Sequence, residues 1–294
     1  MAHLYRAMTL TPISLEADSI LERQFTLPPL PELALKLIET LSNDLTTAKE
    51  VADLIGADPG LAAEVLKVVN SAYYGLALEI RDIKTAVAYL GLAQINRIVM
   101  VSSVMQALAP GEAKARRSFW YHSYYTALVA KRIAYRFDKA PESEELYAAG
   151  LLHDVGKLVY VKLFPEHYRD LAAHAASQGQ FLCDAERELE QPSHLAFGTL
   201  LCDQWRLPAS IRHACEAHEL GQLRDGECVH PVQQVTAVAN LLVHLNDSAL
   251  KRAVNEEIRI QVQAALKCSE EEFLLLMGEV YDLAQDVGRF LERL

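Results

Sequence analysis

The run Gly150-Leu151-Leu152-His153-Asp154-Val155-Gly156-Lys157 sets an imidazole beside a carboxylate at the end of an apolar, helix-like stretch. Such a pair offers one metal ion a neutral nitrogen and an anionic oxygen, or lets the carboxylate bridge two ions. Lys157 follows at once; a lysine on the first turn of a helix ordinarily lies solvated. The other histidines are less pointed. His167 and His174 are seven apart on one helix face without an obvious carboxylate partner, and His213 and His218, five apart, point in different directions. His3, His230 and His244 carry no assigned role. Each histidine alone reads as a surface or hydrogen-bonded core residue. Five cysteines (Cys183, Cys202, Cys215, Cys228, Cys268) contain no CxxC pair, and read as reduced thiols packed as small apolar groups.

The elements that must position these residues are helices. Pro31, Pro59, Pro141, Pro165, Pro208 and Pro231 each precede an apolar stretch with helical spacing, where a missing amide hydrogen costs nothing. Asp58 caps the helix after Pro59, and Ser269 with Glu272 forms a capping box. Helices are expected over Leu92–Leu108, Ala113–Phe137, Leu195–Trp205, Ile211–His218, Val232–Leu245 and Glu271–Leu294. The segment Leu158-Val159-Tyr160-Val161 is the best strand candidate, but no turns bound it. Asn70, Ser71 and Gly75, around Tyr73 and Tyr74, suit a chain leaving a helix and reversing, and read as a structural turn. The expected class is all-α, a two-lobed helical bundle with a soft boundary at Ala109-Pro110-Gly111-Glu112.

The chain has 294 residues, of which 51% are hydrophobic and 23% charged, a globular composition that excludes disorder and low complexity. A formal charge of −11 argues against an extended nucleic-acid-binding face. Lys114, Arg116, Arg117, Lys131, Arg132 and Arg136 along one helix are a local exception and read as a solvated face. The best apolar stretch, Ile98 to Ala109, is far short of the ~20 residues that span a membrane. The first residues carry no secretory pattern. A soluble, cytoplasmic protein is expected.

Residues 27 to 101 hold an ordered set of pieces: Leu27-Pro28-Pro29-Leu30-Pro31, Asp58-Pro59-Gly60-Leu61, Val65-Leu66-Lys67 and Asn70-Ser71-Ala72-Tyr73-Tyr74-Gly75. Ile80, Ile83, Ala86-Val87 and Leu90-Gly91 continue it, before a helix to Val101. This set resembles the HDOD domain, the HD-related output domain of bacterial signalling proteins, with Asn70, Ser71, Tyr73 and Gly75 as hallmarks. The likeness runs from about Leu27 to Leu245. It implies an extension over 1–24, a domain over 25–245 with lobes 25–109 and 113–245, and helices over 246–294 packing on it. The carboxy-terminal helix, with Phe273, Leu274, Leu276, Met277, Val280, Tyr281 and Leu283, is expected to pack on the core, a homodimer contact being the alternative.

The wider HD superfamily of metal-dependent phosphohydrolases supplies a ligand set by resemblance. His122 stands at its first metal-binding histidine, and His194 and His218 resemble the extra histidines of two-metal members. With His153 and Asp154 they imply a divalent iron, manganese or zinc. In an enzyme of this kind Lys157 would meet substrate phosphate. The departure is Asn240, a neutral amide where the enzymes carry their last aspartate, which weakens a site for metal-activated water. The Gly-Tyr-Pro loop of cyclic di-GMP phosphodiesterases is replaced after His218 by Leu220-Gly221-Gln222-Leu223. The resemblance therefore implies a stand-alone, non-catalytic signalling module that binds a signalling protein or small molecule, with a metal-dependent phosphohydrolase as the alternative.

Overall fold

The structure, a computed structural model, describes residues 36–37, 40, 46–70, 76, 78–108, 113–137, 143–247 and 250–291. Every regular element among them is an α-helix. In chain order they are α1 (Ala48–Gly56), α2 (Pro59–Val69), α3 (Ile83–Ala107), α4 (Ala113–Phe137), α5 (Ser143–Leu152), α6 (Val155–Leu163) and α7 (Pro165–Gln178). There follow α8 (Leu182–Glu188), α9 (His194–Trp205), α10 (Ala209–Glu216), α11 (Leu220–Arg224), α12 (Pro231–Asp247), α13 (Arg252–Leu266) and α14 (Glu270–Leu291).

The chain's punctuation works as its residue types dictate. Asp58 Oδ1 accepts from the amides of Gly60 and Leu61 at 2.9 and 3.0 Å, and Ser269 and Glu272 close their box at 2.8–3.2 Å. Asn70 ends α2 by donating to the carbonyls of Leu66 and Ile80 while its Oδ1 accepts from the Ile80 amide, which ties the turn together across ten residues. Ser71, Tyr73 and Gly75 lie outside the described residues, as do Pro31, Pro141 and the boundary at 109–112. The segment 158–161 is helical, within α6. The helix expected over Ile211–His218 stops earlier, at Glu216, because Ala217 is extended and Gln222 Oε1 captures the amides of both His218 and Glu219.

Apolar side chains gather into two main clusters. One holds Leu37, Val51, Ile55, Val65, Val69 and Val87 and runs to Val99; the larger begins at Met100 and reaches Val287. Helix α3 enters both. Gly91 interrupts it with φ +79°, a conformation that suits glycine. The break matters because α3 is otherwise long and apolar enough to cross a membrane, with a mean hydropathy of 1.3. The unbroken part after Gly91 is about 24 Å long, short of a ~30 Å hydrocarbon core. In the larger cluster α4 packs against α5, α12 and α14, while α9 lies against α6 and α10. Phe273, Leu276, Val280 and Val287 of α14 are buried there, whereas Leu274, Leu275 and Tyr281 are exposed. Tyr125 donates to the Val280 carbonyl at 2.6 Å, and Arg132 and Arg136 pair with Glu279, so two of the basic residues of α4 serve the helix contact.

Candidate metal centre

Four elements of the larger lobe bring their histidines to one carboxylate. His153 and Asp154 occupy the turn between α5 and α6; His122 comes from the middle of α4, His194 from the first turn of α9, and His218 from the turn after α10. Close packing sets the spacing. A Cβ on Gly156 would stand 1.8 Å from the His194 carbonyl oxygen and 2.6 Å from the Gly198 amide nitrogen, so only glycine lets α6 approach α9 this closely.

Asp154 is 1% exposed and uses its two oxygens on two different groups of donors. Oδ2 faces Nε2 of His122 and of His153, each at 3.4 Å, and receives the Lys157 ammonium at 2.7 Å. Oδ1 faces Nε2 of His218 at 3.2 Å and of His194 at 3.7 Å. Glu219 closes the second group, with Oε1 at 3.3 Å from His194 Nε2 and 3.5 Å from His218 Nε2.

The tautomers follow from the partners of Nδ1. His153 donates to the Gly150 carbonyl at 2.8 Å and His218 to the Ala214 carbonyl at 2.7 Å. His194 Nδ1 donates to Glu186, whose oxygens lie 2.9 Å away. All three rings therefore turn Nε2 inward. Burial holds the His218 ring below its ordinary range, so it is neutral and its Nε2 lone pair faces two carboxylates. Burial and neighbouring His244 keep His122 neutral as well. Burial alone would raise the Asp154 carboxyl, but the Lys157 ammonium and His153 hold it well below the usual carboxylate range. Glu219 is likewise held low against its burial, by its hydrogen bond with His194. His194 is pulled down by burial and lifted more strongly by Glu186, to about 9. Without a metal its ring carries a proton at neutral pH.

The His218 lone pair thus faces two carboxylates, and Nε2 of His122 and of His153 are buried with no hydrogen-bond partner. A cation resolves this. Asp154, His194, His218 and Glu219 each offer one atom, all within 4.8 Å of one another, as do His122, His153 and Asp154. In the four-donor set the four histidine–carboxylate separations are 3.2–3.7 Å. Ligands about 2.0–2.1 Å from a tetrahedral ion stand roughly 3.3 Å apart, so the donor set fits a divalent ion such as zinc, iron or manganese.

The remaining predicted residues are placed as follows. Asn240 is fully buried on α12; its Nδ2 donates to the His218 carbonyl at 3.2 Å, and its Oδ1 has no partner. Lys157, whose side chain is only 14% exposed, pairs with Asp154 and is not solvated. His174, which showed no partner in the sequence, lies 3.6 Å from Glu188. His213 stacks on His230 away from the centre, with ring centroids 4.2 Å apart. His244 sits beside His122, centroids 4.8 Å apart, and burial lowers it to about 4. Together with Lys157, Tyr168, Phe181 and Glu219 it lines a cavity of about 300 Å³.

Sequence reasoning missed Glu186, Glu219, Gln222 and His244. Glu219 adjoins His218, and that adjacency was the available signal. All five cysteines are unpaired, four of them buried.

Known proteins share the fold of this chain. The HDOD domain family model matches residues 27–220. An uncharacterized protein of Treponema pallidum (strain Nichols) is 24% identical over 260 residues, which is 87% of this chain and 50% of that protein. The chain thus spans half the length of the curated relative it matches. The crystal structure of an HDOD domain protein of unknown function from Geobacter sulfurreducens superposes with a TM-score of 0.68 at 24% identity, covering 93% of this chain and 95% of that one. A Shewanella amazonensis SB2B protein, provisionally named a phosphohydrolase, gives 0.71 at 22% identity, covering 94% and 97%. These likenesses show a shared fold, and with the family match over residues 27–220 they place the chain in the HDOD domain family.

Proposed function

We propose that this chain is a regulatory HDOD module that works by binding a signalling protein or a small molecule and does not turn over phosphoesters. The observation that carries this reading is the burial of the donor set: Asp154, His194, His218 and Glu219 are each at most 4% exposed, and of the four Glu219 alone lines the neighbouring cavity. Metal-assisted hydrolysis needs an ion with an open position that substrate and water can reach. Asn240 supports the same reading, since its amide is spent on the His218 carbonyl and adds no negative charge. A cation held by the four donors would fix α6, α9 and the turn after α10 as one unit, and would supply Lewis acidity to whatever reached it. The unpaired thiols suit a cytoplasmic setting.

A second reading, a metal-dependent phosphohydrolase, is favoured by the convergence of unpartnered Nε2 atoms on Asp154. The test is a phosphoesterase screen on the full chain, stripped of metal and reloaded with iron, manganese or zinc. It would use bis-(p-nitrophenyl) phosphate, nucleotides and cyclic dinucleotides. Wild type and Asp154→Asn should give the same background rate. Turnover that Asp154→Asn abolishes would overturn the regulatory reading in favour of the second.

A further inference from the structure

The two oxygens of Asp154 are treated unequally, and the difference lies in Lys157. On the Oδ1 side the structure gathers two imidazoles and a second carboxylate, Glu219. On the Oδ2 side it gathers two imidazoles and an ammonium, Lys157 Nζ at 2.7 Å, the shortest contact Asp154 makes. Among the described residues, no carboxylate other than Asp154 joins His122 and His153 in their donor group. An ion on the Oδ1 side is met by two full negative charges. One on the Oδ2 side shares a single carboxylate and is met by a fixed positive charge.

We propose that Lys157 is a built-in cation that fills the Oδ2 half of the centre, so that the chain binds a single divalent ion, held by Asp154, His194, His218 and Glu219. The ammonium does electrostatically what a second metal would do: it neutralises Oδ2 and leaves Nε2 of His122 and His153 without an ion. Its position is enforced by the chain itself, because Lys157 lies three residues after Asp154 on the first turn of α6. The assignment concerns occupancy and holds whether or not the centre hydrolyses anything.

The test is metal content per chain, read by native mass spectrometry and by elemental analysis after gel filtration. It uses the chelator-stripped full chain exposed to Zn(II) alone. Wild type should hold one equivalent. His122→Ala should keep it, Glu219→Gln should lose it, and Lys157→Met should take up a second. Circular dichroism melts establish that each variant is folded. If Lys157→Met fails to fold, the contrast between His122→Ala and Glu219→Gln still decides. An empty wild type, two equivalents in wild type, an ion lost from His122→Ala but kept by Glu219→Gln, or a folded Lys157→Met with one ion would each overturn the proposal. Turnover by a one-ion protein would overturn the regulatory reading and leave this one standing.

Discussion

Gly156→Ala tests how the centre is built without touching a donor. The new Cβ would lie 1.8 Å from the His194 carbonyl oxygen, where ordinary contact begins at 3.4 Å, so α9 must withdraw by about 1.6 Å. Both close neighbours, the His194 oxygen and the Gly198 nitrogen, are backbone atoms, so no side chain can swing aside. Overpacking of this kind costs about 1–3 kcal/mol, and the rigid obstacle puts Gly156→Ala near the upper end. For a chain of this size that lowers Tm by roughly 5 °C. The same withdrawal carries His194 away from Asp154. Their present separation of 3.7 Å is already the longest of the four histidine–carboxylate distances in the donor set, and zinc affinity should fall by at least ~10-fold. The control is Gly278→Ala in α14, where a Cβ would meet nothing within 4 Å and the helix should gain up to ~1 kcal/mol. The assays are thermal melts and competition with a zinc-sensitive chelator dye. Unchanged melting and unchanged affinity in Gly156→Ala would refute the claim that this contact sets the spacing.

Glu186→Gln removes the negative charge that raises the basicity of His194 while keeping an oxygen that can accept from Nδ1, and should weaken zinc binding by about 10-fold in the same competition assay. The pH dependence of the metal-free protein follows from His194. Its folded-state value of about 9 lies above the ordinary 6.5, so the protonated ring favours the folded state. That contribution, at most about 3 kcal/mol, is complete below pH ~6.5 and lost as pH rises through about 9, which denaturant melts across that window in chelator will register. Tyr125→Phe removes the hydrogen bond that crosses from α4 to the Val280 carbonyl of α14 and should cost about 0.5–1.5 kcal/mol in the same melts, with zinc affinity unchanged.

The fold was legible because its helix starts are written in local chemistry. Asp58 before Pro59 and Ser269 with Glu272 act within four residues of themselves. His153 and Asp154 were legible because they are adjacent. His122, His194 and His218 came from family resemblance, and the structure brings all three within 3.7 Å of Asp154. Glu186 was hidden for a physical reason. It sits in Asp184-Ala185-Glu186-Arg187-Glu188, a charged run that reads as a solvated face, yet it is 2% exposed because α8 turns that one carboxylate inward to His194. His244 was hidden because its neighbours, His122 and Phe181, are more than sixty residues away in sequence. Lys157 was misjudged since nothing local says whether a first-turn lysine finds water or the preceding aspartate.

Helix α3 does more than carry side chains past a kink. Ile95, Ile98 and Val99 belong to one hydrophobic cluster and Met100, Val101 and Val104 to the other, on consecutive turns of the same rod. The two cores are therefore geared together by a stiff shaft. A twist or slide of that shaft must repack both clusters at once, because close-packed interiors do not yield gradually. The shaft also rests against α5, whose last residue, Leu152, adjoins His153. The metal end and the amino-terminal lobe thus rest on one solid element, and melting of one lobe without the other would strip side-chain packing from a helix that the second lobe still needs.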